Sequence, residues 1–253
     1  MSSSRPSAAP FDARLAALRA EVRALERSGG ARPAAPPLGF GIAAVDGRLA
    51  GGGLAPALHE AAAASPGPGD DAAATLFLAA LAARFAGQVL WALARRDLFA
   101  PALAQAGLAP DRLIYAECRN DAEVLAVMEE GVRHGGLAAV IGEVGRASMP
   151  ATRRLQLGAE ESGTAALLLR RWRRRGEDPL LVPSAAVTRW RIGCAPAAPL
   201  PHQGLGRARW QVALVRQRGG PPYEWLLEAP DAEARLALPA RSGDRPDQAR
   251  RAA

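Results

Sequence analysis

The sequence predicts an α/β fold whose sheet is mostly parallel and ends in an antiparallel edge. Short apolar runs alternate with helical patterns over residues 58–169, which is typical of a parallel sheet covered by helices on both faces. The first apolar run enters a turn rich in proline and glycine, and a long helix rich in alanine and leucine leaves it. Beyond Pro179, two apolar stretches flank residues 217–222 and predict a hairpin at the edge of the sheet.

The composition is that of a globular chain with a basic surface. Its 253 residues, 49% of them hydrophobic, suffice for one core, and the formal charge of +7 favours nucleic acid or an acidic protein surface as a partner. All 32 basic residues are arginine, so the chain contains no lysine. Cys118 and Cys194 lack metal-ligand spacing, and no apolar run has the length of a membrane span. We therefore expect a soluble, cytoplasmic protein without a disulfide, a metal or a membrane contact.

The first predicted element is an amphipathic helix over residues 11–27. Its apolar residues repeat at alternating spacings of four and three, which makes a narrow seam like that of a coiled coil. The seam consists of Phe11, Leu15, Leu18, Val22 and Leu25. This helix either folds back on its own domain or associates with a neighbouring molecule, and the sequence leaves both possibilities open. The predicted organisation is a helix and proline-rich linker at 1–37, an α/β domain at 38–238, and a disordered tail at 239–253.

Strands and helices alternate through the predicted α/β domain. Asn120, with Glu123 three residues later, has the spacing of a capping box, and Ser148 before Pro150 is a second helix start. The predicted helices cover 70–86, 97–106, 120–134 and 148–161, with Asp97 as the cap of the second. The predicted strands cover 57–63, 88–94, 112–118, 137–141, 164–169, 185–194, 207–216 and 223–228.

The turn after the first strand has the context of a phosphate-binding P-loop, G-x-x-x-x-G-K-[ST], but not its residues. Gly69 falls on the second glycine of the pattern, whereas Ala64 replaces the first. Asp70 stands in place of the lysine and Asp71 in place of the serine or threonine. A carboxylate about 4 Å from a phosphate charge repels it by roughly 4 kcal/mol. We therefore expect a lost nucleotide site with no cofactor, in which the two aspartates serve the helix start by capping and dipole interaction.

Several stretches resemble the RecA recombinase fold, a P-loop NTPase fold, and more specifically the ImuA (inducible-mutagenesis protein A) family. They comprise 41–46, 51–54, 58–60, 142–144, 152–157, 188–191 and 225–228, within a resemblance covering about 38–240. The resemblance implies a RecA-like protein of the SOS response to DNA damage. It also implies contact with RecA, action beside the polymerase-like protein ImuB, and an error-prone replicative-type polymerase in translesion synthesis.

The residues expected at other catalytic positions of RecA are also replaced in this sequence. The strand predicted at 137–141 is followed by Gly142 and Glu143 rather than by an aspartate that would order Mg²⁺. Arg95 and Arg96 stand near the position of the RecA catalytic glutamate, and arginines replace the sensor glutamine after the fifth strand. Because four catalytic positions fail together, we expect no ATPase activity.

The most conspicuous surface signal is an arginine-rich run after the predicted fifth strand, where RecA places a DNA-binding loop. The run comprises Arg170, Arg171, Trp172, Arg173, Arg174 and Arg175. Arginines can neutralise phosphates and tryptophan can stack on a base, so the run is a candidate interface for single-stranded DNA or for an acidic protein patch. The alternative is a solvated charge run with Trp172 in the core. His59, on an apolar strand, is interpreted as a hydrogen-bonded structural residue.

These observations together favour a non-catalytic adaptor that binds partner proteins at DNA lesions. The alternative is a cell-division inhibitor like SulA, which has a degenerate RecA-type fold and binds the tubulin-like division protein. SulA-like chains are shorter and are not expected to carry the helix at 11–27 or the arginine-rich run. A residual nucleotide-dependent enzyme is a third possibility, and the absence of lysine opposes it.

Overall fold

A computed structural model describes residues 36–198, 204 and 206–239. The predicted association helix at 11–27, most of its linker, and residues 240–253 of the predicted tail lie outside the described residues. In the described part of the chain, no helix is both long and apolar enough to cross a membrane.

The described chain forms one eight-stranded sheet, as predicted. The strands are β1 (Leu58–Ala63), β2 (Val89–Leu93), β3 (Leu113–Glu117), β4 (Ala139–Val144), β5 (Ala165–Arg170), β6 (Thr188–Ala195), β7 (Arg209–Gln217) and β8 (Tyr223–Glu228). Their order is β3-β2-β4-β5-β1-β6-β7-β8. The first six strands pair in parallel, and β7 and β8 add an antiparallel hairpin beside β6. The predicted mixed sheet is therefore confirmed.

In the described residues, five α-helices connect or cover the strands. They are α1 (Ala43–Asp46), α2 (Pro68–Ala83), α3 (Ala100–Gln105), α4 (Asp121–His134) and α5 (Met149–Ser162). The predicted caps of the last two are confirmed, because Asn120 accepts a bond from the Glu123 amide and Ser148 accepts one from the Ala151 amide. The predicted cap Asp97 is wrong: α3 begins at Ala100, and Asp97 forms an ion pair with Arg95 instead.

Two apolar layers enclose the sheet. One face packs on α2 and carries an aromatic cluster in which the ring centroids of Phe40 and Trp190 lie 5.4 Å apart, and those of Trp190 and Trp225 lie 6.2 Å apart. The other face packs on α4 and α5. Trp190, Trp210 and Trp225 are all buried and belong to the core.

Two strands extend past their predicted ends to include a buried charged residue. β4 continues through Glu143 to Val144, and β5 continues to Arg170. Both charged residues are buried inside the sheet, where an apolar pattern normally ends. The strands extend because each buried charge has a partner of opposite charge on a neighbouring segment.

His59 is a buried structural residue of β1. Its Nε2 lies 2.8 Å from the Ala55 carbonyl oxygen, and its Nδ1 lies 2.8 Å from the Thr188 hydroxyl. A carbonyl can only accept, so Nε2 carries the proton and Nδ1 accepts from Thr188, which in turn accepts from the Trp190 indole. Burial lowers the pKa of His59 to about 4, against the opposing effect of the Ala55 bond.

This lowered pKa predicts an acid-sensitive contribution to stability. Because the unfolded histidine has a pKa of 6.5 and the folded one about 4, stability is highest above pH 6.5 and is lost as the pH falls towards 4. At about pH 4.5 the loss should be about 2–3 kcal/mol. Urea unfolding of the parent and of His59→Gln at neutral and acid pH measures it. Equal acid losses in the two proteins would contradict the assignment.

Candidate functional site

The degenerate turn between β1 and α2 is closed by its own side chains. Ser65 accepts a bond from the Gly67 amide and donates one of 2.7 Å to Oδ2 of Asp70. Oδ1 of Asp70 accepts from the amide of Cys194 on β6, at 2.7 Å. The predicted capping role is corrected here: Gly67 is the N-cap of α2, and Asp70 lies in the first helical turn and ties it to β6.

The same turn packs directly on the end of β6. The Ala64 amide donates to the Ile192 carbonyl at 2.7 Å. A Cβ at Gly193 would lie 2.9 Å from the Cβ of Ala64, and a Cβ at Gly69 would lie 3.5 Å from Sγ of Cys194. The predicted positions Ala64, Gly69 and Asp70 are thus all placed against one strand end, and both carboxylate oxygens of Asp70 have partners.

Asp71 belongs to a second group of charges, centred on Arg171. Nη1 of Arg171 lies 2.6 Å from Oδ2 of Asp71, and Nη2 lies 2.7 Å from Oε2 of Glu143. The Nε of Arg171 also donates to Oε2 of Glu143, at 3.0 Å, while Oε1 of Glu143 accepts from the Trp91 indole at 2.7 Å. One guanidinium therefore bridges the degenerate P-loop helix and the end of β4.

Burial and charge oppose each other in this network. Burial raises the pKa of the Glu143 carboxyl, and the positive charge of Arg171 acts in the opposite direction. Burial would lower the pKa of Arg171, but the charges of Glu143 and Asp71 outweigh it and raise the pKa. The Arg171 guanidinium places a positive charge between two carboxylates. In nucleotide enzymes, a metal ion supplies such a positive charge. Across the part of the chain that the structure describes, no group of three His, Cys, Asp or Glu side chains could hold a metal ion.

Arg170, the last residue of β5, enters a third network that is fully buried. Its Nη1 lies 3.1 Å from Oε1 of Glu60 on β1, and the Nε of Arg189 on β6 lies 2.8 Å from Oε2 of the same carboxylate. Ser184 donates a further bond of 2.8 Å to Oε1. The prediction that Arg170 belongs to a surface interface is therefore wrong, because its side chain is only 1% exposed.

The remaining residues of the arginine-rich run differ in exposure. The Trp172 indole N–H donates to the Ala63 carbonyl at 2.8 Å, and its ring is partly buried against the core and lines the pocket beside the Arg171 network. Arg173, Arg174 and Arg175 are exposed. Arg174 lies 3.8 Å from Glu177. The candidate interface is thus reduced to Arg173, Arg174 and Arg175. Arg171 does not belong to it, because its guanidinium pairs with Asp71 and Glu143.

Comparison of the sequence with those of known proteins identifies the family of this chain. No family model matches the chain. Two curated relatives, both called Protein ImuA and both from strains of Caulobacter vibrioides, are 38% identical over 213 residues. The match covers 80% of this chain and 87% of each relative. The chain belongs to the ImuA family.

A solved structure supports the fold independently. The crystal structure of the RadB recombinase matches with a TM-score of 0.53 at 16% identity, covering 80% of this chain and all of the RadB chain. At that identity the match bears on the fold alone, and it confirms the RecA-like architecture predicted from the sequence. In this family member, the degenerate turn joins β1, an interior strand of that sheet, to α2.

A pocket of about 630 Å³ opens beside the Arg171 network at the carboxyl ends of β2 and β4. Its wall includes Arg95, Asn120, Glu143 and Arg173. Asn120 already caps α4, and Glu143 is already paired. The wall of the pocket therefore carries the basic side chains of Arg95 and Arg173, and its buried carboxylate, Glu143, is already paired with Arg171.

Sequence reasoning missed the buried charges around Glu60. Glu60 lies in the mostly apolar strand β1, Arg189 is the second residue of β6, and Ser184 lies in the segment that precedes β6. A charged residue that is buried in a strand usually has a residue of opposite charge nearby. The charged residues in these strands could therefore have indicated a buried ion pair. The signal could not identify the partner, because pairing requires that β1 lies between β5 and β6 in the sheet.

Proposed function

We propose that this chain is a non-catalytic, RecA-like adaptor in SOS-induced translesion DNA synthesis. It binds RecA and an ImuB-type polymerase-like protein, through which an error-prone replicative-type polymerase acts at lesions. The observation that carries the loss of catalysis is the bridge from Arg171 to Asp71 and Glu143. Family membership supports the pathway, since the matched relatives carry the name of the inducible-mutagenesis protein.

The charges around the degenerate turn oppose nucleotide binding. Asp70 and Asp71 both lie in the first turn of α2, where a P-loop would offer a lysine and a hydroxyl. Each carboxylate close to a phosphate would cost roughly 4 kcal/mol at an effective dielectric constant of 20. Moving them away would break the bonds from Asp70 to Ser65 and Cys194 and from Asp71 to Arg171. The aspartates of this turn hold β6 and Arg171 in place instead of binding a nucleotide. A protein with such a turn is suited to binding partners rather than to hydrolysing ATP.

The association helix predicted at 11–27 provides a direct test of the adaptor role. Deleting residues 1–35 should abolish or strongly weaken binding to RecA or self-association, with the melting temperature nearly unchanged. Leu18→Asp in the apolar seam should weaken the same binding, whereas Arg19→Asp, its neighbour on another face, should not. Pull-down and calorimetry with purified RecA, the ImuB-type protein and the tubulin-like division protein measure it.

Two results would reject this assignment. Binding to the division protein with no binding to RecA or the ImuB-type protein would favour the SulA-like alternative. A large loss of stability on deletion, with partner binding intact, would place the helix in its own core instead.

A further inference from the structure

Three large apolar side chains are exposed on the segments that follow β4 and β5. Leu181 is 79% exposed, and Val182 and Met149 are each 45% exposed. Leu181 and Val182 lie in the segment between β5 and β6, and Met149 begins α5. We call these three residues, together with the exposed arginines Arg146, Arg153 and Arg173, the edge patch.

The segment that presents Leu181 and Val182 is held in place from both sides. Asp178 pairs with Arg191 and closes a turn by accepting from the Leu180 amide at 2.9 Å, while Leu180 itself is buried. The Val182 carbonyl accepts from Arg189 at 2.9 Å. Ser184, two residues later, reaches the buried Glu60. These bonds hold the two apolar side chains on a fixed scaffold, which lowers the entropy cost of binding a partner.

Hydrogen bonds and one close approach link the two segments that carry the patch. The Ala185 amide donates to the Thr152 hydroxyl at 3.2 Å, which ties the 171–187 segment to the first turn of α5 between Met149 and Arg153. The Arg171 amide donates to the Val144 carbonyl at 2.9 Å. A Cβ at Gly145 would lie 2.7 Å from Cγ of Arg173, so the Arg173 side chain runs directly over that glycine, beside Arg146.

The patch is strongly positive. In the described residues, none of the arginines Arg146, Arg153 and Arg173 lies within ion-pair distance of a carboxylate, and the neighbouring Arg175 shares this property. Arg174 and Arg154, by contrast, pair with Glu177 and Glu129. Unpaired cations around exposed aliphatic side chains complement a ligand that is both acidic and apolar.

We propose that the edge patch binds an acidic protein segment that inserts aliphatic or aromatic anchors against Leu181, Val182 and Met149. The inference rests on the proposed adaptor function and specifies the chemistry of one partner surface. A protein segment fits better than single-stranded DNA, because bases bind through stacking on aromatic rings. The large apolar side chains exposed in the edge patch are aliphatic, and the partly buried Trp172, whose indole N–H is bonded to the Ala63 carbonyl, is not one of them. The flanking carboxylates of the segment would pair with Arg146, Arg153 and Arg173.

Selection of random peptides displayed on phage, with the full chain as bait, tests the proposal. The selected peptides should be enriched in Asp and Glu around large apolar residues. Synthetic fluorescent versions should bind about tenfold or more weakly to the Leu181→Ser/Val182→Ser variant and to the Arg146→Ala/Arg173→Ala variant. Phe99→Ser and Arg133→Ala are the matched controls, since both residues are exposed but lie outside the patch, and they should bind like the parent. Thermal melts check that every variant folds.

Several outcomes would overturn the proposal. Selected peptides without acidic enrichment would do so, as would peptides that bind the patch variants and the parent equally. The proposal also fails if an oligothymidylate binds the parent and loses affinity only in the arginine variant, while acidic peptides do not bind.

Binding of purified RecA and the ImuB-type protein is measured on the same variants. If the patch variants still bind RecA or the ImuB-type protein, the adaptor function is supported and the proposed role of the edge patch is contradicted. Peptide binding at the patch without any binding of either full-length partner supports the patch and rejects the adaptor assignment.

Discussion

Replacing Glu60 with leucine should destabilise the protein by about 3–5 kcal/mol, because it leaves two buried cations without their counter-ion. Glu60 is fully buried and neutralises Arg170 and Arg189, whose guanidinium groups approach it from the strands on either side. The Nε of Arg170 already lacks a hydrogen-bond partner in the described structure. Without the carboxylate, the two arginines would also repel each other in a medium of low dielectric constant.

Urea unfolding measures this loss, provided that the m-value is unchanged. Glu60→Gln keeps the shape and one acceptor but removes the charge, so it should lose less stability than the leucine variant. Glu224→Leu is the matched control, an exposed glutamate on β8, and should change stability by about 0.5 kcal/mol or less. A loss below about 1 kcal/mol in Glu60→Leu would show that the triad is not a determinant of stability.

Arg171→Leu should also be strongly destabilising, and its effect should grow with pH. The substitution leaves Glu143, which is 5% exposed, with Asp71 in the same network and no cation between them. Burial already raises the pKa of Glu143, and losing Arg171 raises it further. A carboxyl whose folded-state pKa is raised keeps its stability below the unfolded pKa and loses it as the pH rises towards the folded value. We expect a loss of about 3–5 kcal/mol near pH 8 and a smaller loss near pH 5.

Denaturation across this pH range separates the network from a simple packing defect. Glu143→Gln in the Arg171→Leu background should recover part of the lost stability and remove its pH dependence, which a double-mutant cycle quantifies. Arg174→Leu, the exposed neighbour, should behave like the parent at every pH. A loss in Arg171→Leu that is the same at pH 5 and pH 8 would contradict the charge network.

The sheet was predictable because most of its strands are apolar and separated by turns, proline or helix caps. The capping residues Asn120 and Ser148 act locally, so their helices began where the sequence indicated. Two of the misplaced strand ends fall at buried charges. Glu143 and Arg170 mark strand ends by any hydrophobicity rule, yet both are interior because residues distant in sequence neutralise them.

The candidate site was predictable only in its local part. Asp70 and Asp71 lie in the first turn of α2, although the helix begins two residues earlier than predicted, at Pro68. Their partners, Cys194 and Arg171, depend on strand order and could not be assigned from spacing. For the same reason the arginine-rich run was predicted as one surface, whereas alternation along the chain places Arg170 and Arg171 in two separate networks.

Calorimetric titration of the full chain with ATP and Mg²⁺ tests most directly whether the nucleotide site has been lost. The carboxylates of Asp70 and Asp71 and the arginine bridge to Glu143 predict no heat of binding at millimolar nucleotide. Saturable binding with a dissociation constant below about 100 µM, equivalent to roughly −5.5 kcal/mol, would contradict that prediction.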